Sequence, residues 1–173
     1  AVLLAGNGAR GGRALVQRED DLHEQSVTRL PFRSPFRWDA LVKFHRARTI
    51  DGIDGFIDDV YRRGNVTIEL DGDALRLTAP RPDVADVTVR ARRMFDLDAD
   101  PIAIDKHLRK DPILPRSPGT RVPGAWEPFE VVVRAIVGQQ ISVRGTTTIM
   151  NRFASMMTPA EFAIERGYDS PLH

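Results

Sequence analysis

Three stretches of the sequence place residue types at spacings that can do chemistry. Asp96, Asp98 and Asp100 repeat as D-x-D-x-D, the spacing with which a calcium loop presents its first carboxylates. Such a loop also needs a glycine to turn on and a bidentate glutamate at its end. Neither follows, so these aspartates read as caps and helix-end charges. Gly6, Gly8 and Gly11 form G-x-G-x-x-G after a short apolar run, the pattern that cradles a pyrophosphate at a helix N-terminus. A polar segment and then prolines come next, with no second strand to complete a βαβ unit, and residues 1–28 read instead as an upstream linker or the tail of a fused domain. The third stretch is the pair Gln139 and Gln140, followed by Ser142, Arg144 and the hydroxyls of Thr146, Thr147 and Thr148.

Composition narrows the chemistry further. The 173 residues include no cysteine, which removes disulfide frameworks, thiol catalysis and thiolate metal sites. His23, His45, His107 and His173 are scattered without metal-ligand spacing, so neither a metal nor a cofactor is expected. A formal net charge of +1 supplies no global field to gather a polyanion. The arginines are nevertheless grouped, at Arg46 and Arg48, at Arg62 and Arg63, and at Arg90, Arg92 and Arg93, and most of these read as solvated faces. A hydrophobic share of 42 % fits one globular domain, or two small ones sharing a core. No apolar run approaches the roughly 20 residues that span a bilayer, and Ala1–Ala5 lacks the basic flank of a signal peptide, so a cytoplasmic setting is expected.

The elements that would position the glutamines can be read from periodicity. Phe129, Val132, Val133, Ile136 and Val137 recur at helical steps and predict a helix with one buried face. Gly138 ends it, at an αL or otherwise crowded backbone. Ser142 caps a second helix, expected to begin with exposed Arg144 and to bury Ile149, Met150 and Phe153. Two apolar helices thus hold a short polar loop in front of them.

Upstream, residues 26–36 read as an edge strand, with Pro31 and Pro35 at its end. A helix from Trp38 to Arg48 should bury Leu41, Phe44 and Ala47 or Arg48. Strands are expected over Phe56–Arg62, Asn65–Leu70 and Ala74–Ala79, with Asp71-Gly72 as a type I′ hairpin signal. Asp83 should cap a helix running to about Phe95, and Asp100-Pro101 should start another. Residues 112–125, rich in proline, read as an extended linker and a boundary. The expected organisation is a tail over 1–28, an α+β sheet domain over 29–111, that linker, and the start of an incomplete helical domain over 126–173, whose last part holds one helix capped at Thr158.

The run Glu127-Pro-Phe-Glu-Val-Val-Val-Arg-Ala-Ile-Val-Gly-Gln-Gln-Ile-Ser-Val143 closely resembles the signature of the DNA-3-methyladenine glycosylase II family, within the helix-hairpin-helix DNA glycosylases. Phe44, Arg48 and Gly52, as F-x-x-x-R-x-x-x-G, resemble that family's first helix. The resemblance covers roughly residues 29–153. It implies an antiparallel sheet similar to half of the TATA-binding-protein fold, followed by the first helices of an all-α domain. The segment between Tyr61 and Asn65 is shorter than the family pattern, which implies either a trimmed hairpin or residues missing from the chain there.

By the same resemblance the substrate is double-stranded DNA with alkylated bases, and the reaction is hydrolytic removal of purines such as 3-methyladenine by a monomeric protein. An enzyme that works on a stacked base must extrude it, and a side chain fills the gap. The resemblance gives that role to Gln140 with Gln139 beside it, where some family members use leucine. It gives Phe44 to the pocket for the extruded base, and Ser142, Arg144 and Thr146 to possible phosphate contacts. The family also uses a glycine-rich hairpin and an aspartate after it. Neither is found after Phe153, so no catalytic residue is assigned, and the catalytic half is expected to lie outside this chain. The alternative is a non-catalytic module that binds DNA or a partner protein.

Overall fold

A computed structural model describes residues 25–157 of the chain. The glycine motif at Gly6–Gly11 and the helix expected at Thr158 lie outside the described residues.

Five antiparallel strands form one sheet in the order β1-β5-β4-β3-β2, where β1 is Gln25–Pro31, β2 Gly55–Ile57, β3 Val60–Arg63, β4 Val66–Asp71 and β5 Ala74–Pro80. β1 is an edge, as its terminal proline requires, because Pro31 has no N–H to give a second neighbour. Alternation decides which face is buried. Val66 and Ile68 on β4, and Leu75, Leu77 and Ala79 on β5, point to the core, while Glu69 and Arg76 pair directly across the two strands at 2.8 Å. A pair of this kind adds about 0.2–1 kcal/mol to a sheet.

The strand expected over Phe56–Arg62 is two strands joined by a tight turn. Asp58 and Asp59 both carry positive φ, 47° and 64°, as a type I′ turn demands, and aspartate is among the few residues that tolerate this conformation. The short segment between Tyr61 and Asn65 is the tight connection from β3 to β4, where Gly64 takes positive φ, 55°. At the β4–β5 turn only Gly72 has positive φ, the type II′ pattern in place of the expected I′.

Two helices cover the buried face. α1 (Trp38–Arg46) turns Trp38, Leu41, Val42 and His45 inward. This differs from the expected Leu41, Phe44 and Ala47 or Arg48 by a rotation of about one residue, because Trp38 and His45 both pack on Phe95. α2 (Val84–Met94) buries Val87, Ala91 and Met94. Asp83 does not cap it with its side chain. Its backbone is already helical (φ −96°, ψ −12°), continuing a 3-10 turn, whereas a capping side chain needs an extended backbone. Asp100 meets that condition: at φ −97° and ψ 95° it accepts the Ile102 and Ala103 N–H groups and starts α3 (Pro101–Leu108). Asp96 accepts the Val122 N–H and Asp98 pairs with Arg92, so the three aspartates have structural duties. Among the described residues no cluster suited to a metal ion occurs.

The proline-rich segment is strapped to the sheet domain. Buried Arg121 donates to the carbonyls of Ala99 and Arg33, and Gly119, at φ 81°, lies so close to Pro35 that a Cβ would come within 2.9 Å of its backbone. The chain then buries Trp126 against Tyr61 in the main core. α4 (Pro128–Val137), a 3-10 turn (Gly138–Gln140) and α5 (Val143–Met157) complete the α+β arrangement. No described helix is long and apolar enough to cross a membrane.

The face expected to be buried on α4 is open: Phe129 is 68 % and Ile136 63 % exposed, and no residue of α4 is buried. α5 buries Thr146, Met150 and Ala154, leaving Ile149 and Phe153 half exposed. Periodicity identified residues that share a face; of these Val133 packs on the Ile50, Met150 and Ala154 cluster, while Phe129, Val132 and Ile136 stay exposed.

Candidate functional site

The polar tip between α4 and α5 is fixed by what lies just behind it. Ser142 Oγ accepts the Gly145 N–H at 3.1 Å, which caps α5 as its sequence position predicts. Gly138 is in the right-handed region (φ −81°, ψ 0°), so the αL option does not apply. It is crowded instead, since a Cβ would meet Thr146 Oγ1 at 3.2 Å. Gln139 and Gln140 are exposed on the 3-10 turn. Arg144 is exposed at the start of α5. Thr146 is enclosed, and its hydroxyl donates to the Ser142 carbonyl, which makes it part of the scaffold and removes it as an external phosphate contact.

The pair α4–α5 docks on the corner between α1 and β2. Arg134 donates to the Arg48 carbonyl at 2.7 Å, and Thr147 Oγ1 donates to the Ala47 carbonyl at 3.1 Å. These acceptors are carbonyls at the C-terminal end of α1, which have no partner within the helix and favour a cation. Asn151 exchanges two hydrogen bonds with Asp51, and Met150 and Ala154 pack on Ile50.

Beneath the N-terminal half of α4 lies a buried charge network. Arg63 on β3 bonds Glu130 on α4, lies 3.9 Å from Asp54 and faces the Trp126 ring at 5.7 Å. Asp54 accepts the Tyr61 hydroxyl at 3.2 Å and the Ile50 N–H at 2.7 Å. Burial pushes the Asp54 carboxyl and the Tyr61 phenol up from their ordinary pKa values. Burial alone would lower Arg63, but its bond to Glu130 and the fields of Tyr61, Glu130 and Asp54 outweigh it, so the guanidinium is held charged.

Between this network and the tip opens a cleft of about 280 Å³, lined by Phe44, His45, Arg48, Trp126, Val131 and Arg134 among others. Phe44 is half buried, as a wall rather than a core residue, and the Arg48 guanidinium lies 3.7 Å from its ring centroid. His45 is held near pKa 4, chiefly by burial, so its imidazole is neutral at physiological pH. A second cavity of about 220 Å³ lies behind Gly138 and shares Arg48 and Arg134 with the cleft. Gln139 and Gln140 line neither cavity. His45 and Arg134 were not singled out from the sequence, and only the spacing of Arg48, one helical turn after Phe44, hinted at its position.

The chain is thus an antiparallel sheet domain backed by two helices, carrying a pinned helical pair with an exposed polar turn beside an aromatic-walled cleft. The match to the model of the AlkA N-terminal domain family over residues 27–127 assigns it: the chain belongs to that family. It is 32 % identical over 142 residues to the "Probable bifunctional transcriptional activator/DNA repair enzyme AlkA" of Mycobacterium tuberculosis (strain CDC 1551 / Oshkosh), covering 73 % of this chain and 29 % of that protein. It is 28 % identical over 140 residues to "DNA-3-methyladenine glycosylase 2" of Escherichia coli (strain K12), covering 73 % of this chain and 49 % of that protein. The chain therefore spans less than half the length of these relatives.

Proposed function

We propose that this chain is part of a DNA-repair glycosylase that extrudes alkylated purines such as 3-methyladenine from duplex DNA and removes them by hydrolysis, acting as a monomer in the cytoplasm. The observation that carries the reading is the pairing of an exposed Gln139–Gln140 turn on two pinned helices with a neighbouring cleft walled by Phe44. In this reading Gln140 enters the gap left by the extruded nucleotide and hydrogen-bonds the orphaned partner base, and Phe44 faces the extruded base. Ser142 and Arg144, at the exposed start of α5, steer the flanking backbone. No catalytic residue is assigned among the 173 residues, and the bond-breaking step belongs to parts of the protein beyond them.

The test has two readouts. The full-length protein should release 3-methyladenine from alkylated DNA. The chain should bind a duplex containing an abasic-site analogue, with Gln140→Ala weakening binding about threefold to tenfold, as loss of one hydrogen bond worth about 1 ± 0.5 kcal/mol predicts. Binding that Gln140→Ala leaves unchanged would remove the role given to the turn. Binding without base release by the full-length protein would make it a non-catalytic DNA-binding module.

A further inference from the structure

Among the described residues, six arginines are not fully exposed: Arg48, Arg63, Arg90, Arg92, Arg121 and Arg134. Arg63, Arg90 and Arg92 are neutralised by carboxylates, and Arg121 spends its guanidinium on backbone carbonyls. Arg48 and Arg134 are different. Neither forms an ion pair among the described residues, and each has donors to spare within them. Arg48 gives one N–H to the Phe44 carbonyl, and Arg134 gives one to the Arg48 carbonyl and one to Thr147, out of the five that a guanidinium carries.

The two also sit together. Both line the Phe44 cleft and both line the cavity behind Gly138. Burial disfavours the charged form of each, and the charge of Arg48 adds to that effect on Arg134. The nearest carboxylates, Asp54 and Glu130, oppose it, but both are engaged by Arg63. Three guanidiniums thus face two carboxylates. Two partly desolvated like charges with unused donors are costly to keep side by side unless an anion is bound between them.

We propose that Arg48 and Arg134 form a seat for a phosphate group, placed between the Phe44 cleft and the Gln139–Gln140 turn. Phosphate is the fit because paired planar forks match a tetrahedral oxyanion with several acceptor oxygens. Resting on the glycosylase reading, its source is a backbone phosphodiester next to the extruded nucleotide. Free inorganic phosphate has the same chemistry, and the experiment separates the two.

The first measurement titrates the chain with inorganic phosphate and follows the arginine Nε–Hε NMR signals. The signals of Arg48 and Arg134 should shift saturably in the wild type, and the Arg134 signal should not shift in Arg48→Gln. The second measures binding to the abasic-analogue duplex against salt. Arg48→Gln should reduce the slope of log K against log salt by about 0.9, the value for one lost phosphate contact, while Arg48→Lys retains it. Phosphate-induced shifts with an unchanged slope would overturn the DNA source and leave a seat for free phosphate. No shifts together with an unchanged slope would overturn the seat, even if Gln140→Ala still weakens binding. A wild type that does not bind duplex would sink the glycosylase reading, and the phosphate titration would still decide the seat. Should Arg48→Gln fail to fold, the wild-type titration decides alone.

Discussion

His45 should make this fold acid-sensitive. Its side chain is buried between α1 and Phe95, and its pKa falls from an ordinary 6.5 to about 4, first because burial penalises the imidazolium, with the Arg48 charge adding and the Met94 carbonyl opposing. A depressed folded pKa means that the unfolded chain takes up the proton first. The stability contributed by the neutral ring is therefore complete above pH 6.5 and is lost as pH falls toward 4. With each pKa unit worth ~1.36 kcal/mol, the loss reaches about 2 kcal/mol by pH 5 and about 3 kcal/mol by pH 4. The assay is urea unfolding at pH 7, 6 and 5, comparing wild type with His45→Leu. Whatever the substitution does to stability at pH 7, the gap between the two proteins should move by about 2 kcal/mol in favour of the leucine variant by pH 5. A gap that stays constant with pH would refute the reasoning, because all other titrations are common to both.

Two further substitutions test the positioning of the helical pair. Arg63→Ala removes the counter-charge bonded to Glu130 beneath α4 and should cost about 3–5 kcal/mol in chemical denaturation, with Arg63→Lys recovering only part of it. Gly124→Ala should cost about 1–3 kcal/mol, because its Cβ would lie 2.4 Å from the Arg93 carbonyl oxygen and the chain must shift where it approaches α2. A thermal melt within a degree of wild type would show that this contact is not tight.

The sheet and the helical pair were legible because their signals are local. Alternation in β4 and β5, the Ser142 cap and the Asp100-Pro101 start each depend on a few neighbouring residues. The β2–β3 hairpin was hidden because Asp58 and Asp59 turn without a glycine, and the alternating residues on either side read as one strand. For α1, periodicity marked a face but missed its rotation, since nothing local tells that His45 rather than Phe44 meets Phe95. Phe44 was consequently freed to line the cleft. The pairing of Arg48 with Arg134 could not be read at all, because it depends on a contact between residues 86 apart in the chain.

The contacts of Arg134 and Thr147 also have a mechanical consequence. Two helices ending in a turn behave as a cantilever, and the deflection of a beam under load grows as the cube of its free length. Had the pair been anchored only through Glu130 and Asn151, two turns or more of helix would overhang. Arg134 precedes Gly138 by one helical turn, about 6 Å, and Thr147 stands one turn into α5. The overhang is thereby shortened to little more than the turn itself, and a force on the glutamines is delivered into the end of α1 and from there into the sheet.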